Sequence, residues 1–115
     1  MSDRPTIEQV LAEPAGFQMD DWIAEFVIGN KYDSSDFSKD IADAWGVVEK
    51  MRELDPHWCP HVFWDDDDGL SPGYWVATFY YYGETQDEYR VCEAIADAAP
   101  LAICRVAVLA VLESE

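Results

Sequence analysis

Residues 100–112 read PLAICRVAVLAVL, a helical stretch with Arg105 as its one charge. A helix that is apolar almost all round has no face to offer water, so it is buried on most sides or completes an interface with a second copy of the chain. Pro100 fits the first turn of such a helix, Asp97 fits its N-cap, and its end falls near Glu113. The longer apolar run, residues 98–112, is shorter than the roughly 20 residues needed to span a bilayer, and Arg105 interrupts it.

The remainder of the 115 residues forms one domain, since a chain of this length has no room for a second core of ordinary size. Thr6 caps a short turn through Ile7, Val10 and Leu11, ended by Pro14 and Gly16. Met19, Trp22, Ile23, Phe26 and Val27 recur at helical spacing, and Gly29 stands where a helix C-terminal glycine belongs, which predicts a helix over 17–28. After a polar loop, Ser38 caps a second helix running to about Leu54, with Ile41, Ala44, Trp45, Val48 and Met51 as its buried stripe. Asp40 lies in its first turn and Lys50 and Arg52 in its last, the favourable order for the helix dipole, and Pro56 prevents continuation.

The period then changes. Residues 57–64 and 74–82 are aromatic and β-branched, separated by Asp, Gly, Ser and Pro, and read as two antiparallel strands. Residues 89–95 fit either a third strand or the start of a helix; the turn-like stretch 83–87 favours the strand. The expected order is α-α-β-β-β-α, an α+β layered sandwich with a mainly antiparallel sheet and no internal repeat.

With 24 Asp and Glu against 7 Lys and Arg, the formal net charge is −17. Half the residues are hydrophobic and 14% aromatic, far above a disordered acidic tail, so the chain folds despite its charge. Such a surface repels phosphate backbones and anionic membranes, excluding ordinary nucleic-acid or membrane binding and leaving basic protein surfaces or cations. Residues 1–15 carry Asp3, Glu8 and Glu13 without a continuous apolar stretch and read as neither secretory nor transit peptide. Cys59, Cys92 and Cys104 lack framework spacing and read as free thiols of a reducing cytosol.

The segments Pro14-Ala15-Gly16, 19–31 and SKDIADAWGVVEKM at 38–51, with the closing APLAICR at 99–105, resemble the phage ABA sandwich domain family. The resemblance covers roughly half of the chain, in the family's order, and the aspartate- and tyrosine-rich central strands match less well. It implies a small α/β sandwich encoded by bacteriophages or prophages, at work in the cytoplasm of an infected bacterium. It implies no catalytic residues.

Chemistry-bearing motifs are few. Asp65, Asp66, Asp67 and Asp68 precede Gly69, but an EF-hand register anchored on that glycine puts Trp64 at position one and Trp75 at position twelve, so the calcium pattern fails and a solvated hairpin turn is the better reading. His57, Cys59 and His61 alternate and would share one face of a strand, yet neighbours two apart rarely converge on one metal. No phosphate loop, nucleophile elbow or zinc-protease motif is present, so neither catalysis nor a cofactor is expected. The strand at 74–82 is aromatic on both faces. Two readings stay open: both faces are covered, as in a three-layer sandwich, or Tyr80 and Tyr82 belong to an exposed surface that anchors a protein partner.

Acidity and phage context together suggest DNA mimicry. Duplex DNA carries about one charge per 1.7 Å of axis, and a folded chain of this size is roughly 34 Å across, so its net charge comes close to duplex density. Three groups are expected to face a basic defence complex such as a CRISPR effector or restriction enzyme: Asp33, Asp36, Asp40 and Asp43; Asp65 to Asp68; and Glu84, Asp87 and Glu88. The competing reading is a sponge for a nucleotide immune signal, which would need basic pockets built from Arg4, Lys31, Lys39, Lys50, Arg52, Arg90 or Arg105.

Overall fold

The computed structural model of the chain describes residues 4–66 and 73–113. Thr6 opens helix α1 (Ile7–Ala12) by a reciprocal pair of bonds: its Oγ1 accepts from the Gln9 N–H, and Gln9 Oε1 accepts from the Thr6 N–H. Helix α2 (Phe17–Trp22) runs without a break into a π-helical segment, Ile23–Ile28. There the N–H groups of Gly29 and Asn30 both reach back to the Ala24 carbonyl, widening the last turn. Gly29 closes it at φ 83°, a left-handed conformation that glycine adopts without Cβ strain.

Two expectations about the next helix are corrected. Asp40, not Ser38, caps α3 (Ile41–Leu54), its Oδ1 accepting from the Ala42 and Asp43 N–H groups at 2.8 and 3.1 Å. Ser38 is buried and ties the loop to α2: its N–H donates to Asp20 Oδ1 at 2.7 Å and its Oγ accepts from the Gly16 N–H at 2.8 Å. The buried stripe of α3 is Ala44, Val47, Val48 and Met51, whereas Ile41 and Trp45 are 55% and 49% exposed. Helix α3 packs on the last helix, and the smaller side chains on that side allow close approach that an indole would prevent.

Strands β1 (Trp58–Asp65), β2 (Tyr74–Tyr81) and β3 (Arg90–Ala96) form one antiparallel sheet with β2 in the middle. The segment with two readings is thus a strand, preceded by a 3₁₀ turn at Gln86–Glu88. The register aligns Pro60, Phe79 and Cys92 in one row and Val62, Ala77 and Ala94 in the next. These rows face the helices: Phe79, Ala77, Cys92 and Ala94 are buried in the core, and Val62 packs against it.

Helix α4 (Ala99–Glu113) explains its own composition. It touches all three strands on one side and α1, α2, the π-helical segment and α3 on the other, so it is the middle layer of the fold. Leu101, Ala102, Ile103, Cys104 and Val106 through Ala110 are all buried by the rest of the same chain. The apolar surface that raised the expectation of a second copy is therefore covered from within. The helix starts one residue later than an Asp97 cap requires, with the Ala102 N–H bonded to the Ala98 carbonyl. Among the described residues no helix is long and apolar enough to cross a membrane.

Candidate functional site

Among the described residues the helices lie on one side of the sheet, and its other side faces outward. Its residues alternate with those of the core. One row is Phe63, Val76 and Ile95, the next His61, Thr78 and Glu93, the next Cys59, Tyr80 and Val91. Phe63, His61, Val91, Glu93 and Ile95 are exposed on the edge strands, while Val76 and Thr78 are buried between them on β2. Thr78 Oγ1 donates to Glu93 Oε2 at 3.2 Å across this face. Neither reading of the strand at 74–82 holds along its whole outward side: Val76 and Thr78 are buried by their neighbours in the sheet, Tyr80 is half-buried and Tyr82 is exposed.

Aromatic rings continue down this face as a ladder. His61 meets Tyr80 edge-on at 5.1 Å, Tyr80 stacks on Tyr82 at 6.1 Å with planes 19° apart, and Tyr82 meets Tyr89 at 5.4 Å. Partial burial, and then the neighbouring Tyr89, Cys59 and Tyr80, raise the Tyr82 phenol above its ordinary pKa. The ladder ends in an open cleft of about 450 Å³ lined by Tyr82, Gly83, Glu84, Thr85 and Tyr89. The turn forming its floor is closed by Glu88, whose Oε2 accepts from the Glu84 N–H at 2.9 Å. Glu88 lies so tightly over Gly83 that a Cβ there would collide with the Glu88 Cβ and carboxylate, and only glycine fits without opening the turn.

The three acidic groups belong to different elements, and the second and third lie at opposite ends of β2. Asp33, Asp36, Asp40 and Asp43 surround the start of α3 and serve its local structure. Asp33 Oδ1 accepts from the Ser35 hydroxyl and N–H, which lowers its pKa; Asp40 caps the helix; and Asp43 Oδ2 accepts from the Asp36 N–H at 3.1 Å. Asp65 ends β1 beside Tyr74, with Asp66 next to it and exposed. Asp67 and Asp68 lie outside the described residues. Glu84, Asp87 and Glu88 flank the β2–β3 turn at the opposite end of β2, a strand length or roughly 23 Å from Asp65. The longest dimension of the molecule is 43 Å. That is longer than expected, and 17 net charges along 43 Å come to about one per 2.5 Å, sparser than the duplex spacing of about 1.7 Å.

The histidine–cysteine triplet is split. His57 precedes β1 and turns to Asp55, its Nδ1 2.7 Å from Oδ1, while Cys59 and His61 lie on the outward face. Among the described residues no three His, Cys, Asp or Glu side chains are grouped to hold a metal ion. Asp55 Oδ2 also accepts from the Tyr81 hydroxyl at 2.8 Å, and Arg90 lies over the Tyr81 ring at 4.3 Å. This cluster borders a cavity of about 340 Å³ lined by Phe26, Met51, Leu54, Asp55, Trp58, Tyr81, Arg90 and Val111. Burial opposes the Asp55 charge, but the bonds from His57 and Tyr81 outweigh it and hold the carboxyl below the usual range.

Sequence reasoning singled out Tyr80 and Tyr82 but missed Tyr89, His61 and Glu93 as members of the same face. The signal was present in β3, where Val91, Glu93 and Ile95 alternate with the small Cys92, Ala94 and Ala96. Reading it required the register that sets β3 beside β2, which the favoured strand assignment alone does not supply.

The family model of the phage ABA sandwich domain matches residues 15–108. No curated protein and no solved structure matches the chain.

Proposed function

The chain belongs to the phage ABA sandwich domain family, and from that premise we propose that it is a non-enzymatic phage accessory protein that inhibits a host defence complex by occupying its basic nucleic-acid-binding surface. The observation that carries this reading is where the cations point. Arg90 lies over Tyr81 and Trp58, Lys31 over Tyr32, and Arg105 binds the carbonyls of Ile95 and Glu13. These three of the seven cations are engaged with the protein's own rings and carbonyls, and the excess of 24 carboxylates over seven cations gives an outward field that repels phosphate and attracts Lys- and Arg-rich surfaces. A CRISPR effector or restriction complex, whose channel is built to neutralise DNA in the bacterial cytoplasm, is the class of target. The charge is spread over separate acidic groups and is sparser than a duplex, so the likeness is to patches of DNA charge and not to a rod.

The test is competition. In the presence of a purified DNA-binding defence complex, the protein should displace duplex DNA, with an affinity that falls steeply between low and physiological salt. Asp66→Asn should weaken binding without unfolding the domain. Failure to displace DNA at low salt from any such complex would overturn the reading.

The sponge alternative has one feature in its favour, Arg90 at the edge of the cavity lined by Phe26, Trp58 and Tyr81. Asp55 in the same lining, with Asp87 and Glu88 beside Arg90, opposes an anionic ligand there. Calorimetry with purified nucleotide signals separates the two: tight binding lost in Arg90→Gln would favour the sponge.

A further inference from the structure

We propose that the cleft lined by Tyr82, Glu84 and Tyr89 receives an arginine side chain of the protein partner. This rests on the reading of a basic partner and names the group it inserts. The cleft combines two features that together select a flat cation. One wall is aromatic: the rings of Tyr82 and Tyr89 touch, with centroids 5.4 Å apart, and Tyr80 stacks on Tyr82, so they present a continuous ring surface to the cleft. Its rim carries the exposed carboxylate-bearing Glu84. A guanidinium can lay its plane on a phenol ring and direct N–H groups at a carboxylate at the same time, whereas a lysine ammonium is a compact, strongly hydrated point charge that cannot stack.

The surroundings argue for the same occupant. Asp87 and Glu88 stand in the adjoining turn, and Arg90, the nearest cation in sequence, is directed to the opposite face of the sheet over Tyr81 and Trp58. An anionic ligand would meet carboxylates without a counter-charge in the cleft lining. A second copy would bring its own net charge of −17 to the same surface. The floor is fixed in advance, because Glu88 holds the Glu84 N–H and packs over Gly83, so little ordering is needed when a side chain enters.

The experiment uses the full chain with two probes of equal charge, a deca-arginine and a deca-lysine peptide. Pairing with scattered carboxylates gives arginine a modest background preference that does not depend on Tyr82. The cleft predicts that arginine is preferred by about tenfold, the scale expected when a cation gains ring and carboxylate contacts together. Tyr82→Ala should cut the preference to that background and Tyr82→Phe should keep it whole, because the ring face and not the hydroxyl supplies the contact. Asp33→Asn with Asp36→Asn, remote in the fold, should weaken both peptides alike and leave the ratio unchanged. Equal affinity of the two peptides, or a preference that Tyr82→Ala leaves undiminished, would overturn the proposal. So would sedimentation showing a dimer that Tyr89→Ala dissolves, since the occupant would then be a second copy. The DNA-competition assay reads the broader reading separately: displacement of DNA without arginine preference sinks the cleft alone, and arginine preference without displacement sinks the defence target alone.

Discussion

The Tyr81 hydroxyl donates to Asp55 Oδ2 at 2.8 Å, joining the end of β2 to the residue that closes α3. Asp55 Oδ1 meanwhile accepts from the His57 N–H at 3.0 Å and lies 2.7 Å from His57 Nδ1, so one carboxylate fixes both the helix exit and the entry to β1. Tyr81→Phe should cost about 1 kcal/mol, the scale of a partly exposed hydrogen bond to a charged group. The pH dependence follows from the directions of the shifts. Asp55 titrates below its unfolded value of 3.8, so its contribution is present above that pH and is lost as pH falls through the lower folded value. Hydrogen bonding to Asp55 is the main cause that raises Tyr81 above 10.0, so the bond persists on the alkaline side until pH rises through that raised value. Thermal unfolding should give a constant gap between wild type and Tyr81→Phe from about pH 5 to 9 that closes in strong acid. A gap unchanged at pH 2 would refute the account.

Helix α3 gives a second prediction, because the largest side chain near its stripe lies outside it. Trp45 is half exposed, so Trp45→Ala should cost under about 1 kcal/mol. Val47 is fully buried, and Val47→Ala should cost about 2 kcal/mol by lost burial and a residual cavity. For a domain of this size each kcal/mol moves the melting temperature by about 4–8 °C, so the two variants separate readily in a thermal scan. The reverse order would restore Trp45 to the core.

What was legible in the sequence was whatever period and punctuation encode. Helix α4, the alternation to strands and the Gly29 stop all carry strong local signals, and element order follows from them. Facing did not follow for α3, because Ile41 and Trp45 lie next to the true stripe on a helical wheel and are the larger residues; close packing against α4 selected the smaller side. Cap identity failed for a related reason. Ser38 and Asp40 both suit an N-cap, and only the tertiary bonds of Ser38 to Gly16 and Asp20 decide between them. The candidate site was half readable. Tyr80 and Tyr82 stood out by composition, but the ring of Tyr89 reaches Tyr82 only through a turn whose shape depends on Glu88 folding over Gly83.

Arg105 supports a third prediction. Its guanidinium donates to the Ile95 carbonyl at 2.7 Å and the Glu13 carbonyl at 2.9 Å, binding the end of β3 and the end of α1 to the middle layer. Partial burial lowers its pKa, yet the group stays charged at any ordinary pH. Arg105→Gln should cost about 2 kcal/mol, since it removes charge-assisted bonds to both carbonyls. Arg105→Lys should recover only part of this, because an ammonium cannot span the two carbonyls in the guanidinium's fork geometry. Full recovery by lysine in denaturant titrations would show that charge alone matters at this position.

The three thiols give the last prediction. Cys59 lies on the outward face opposite Tyr80 and is half-buried, while Cys92 and Cys104 are buried in the core. Burial first, and then the bond from its Sγ to Glu113 Oε2 at 3.1 Å, push the Cys92 thiol up to about 12. Burial likewise pushes Cys104 up, leaving neither core thiol an appreciable thiolate population near neutral pH. A thiol reagent at pH 8 should therefore modify one cysteine rapidly in the native protein and all three in denaturant, with mass mapping placing the native label on Cys59. Fast native labelling of Cys92 or Cys104 would contradict their place in the core. Because Cys59 shares the outward face with the tyrosine ladder, a partner seated there should slow its modification. The same partner should leave the denatured count unchanged. Undiminished labelling of Cys59 in a saturated complex would move the interface off this face of the sheet.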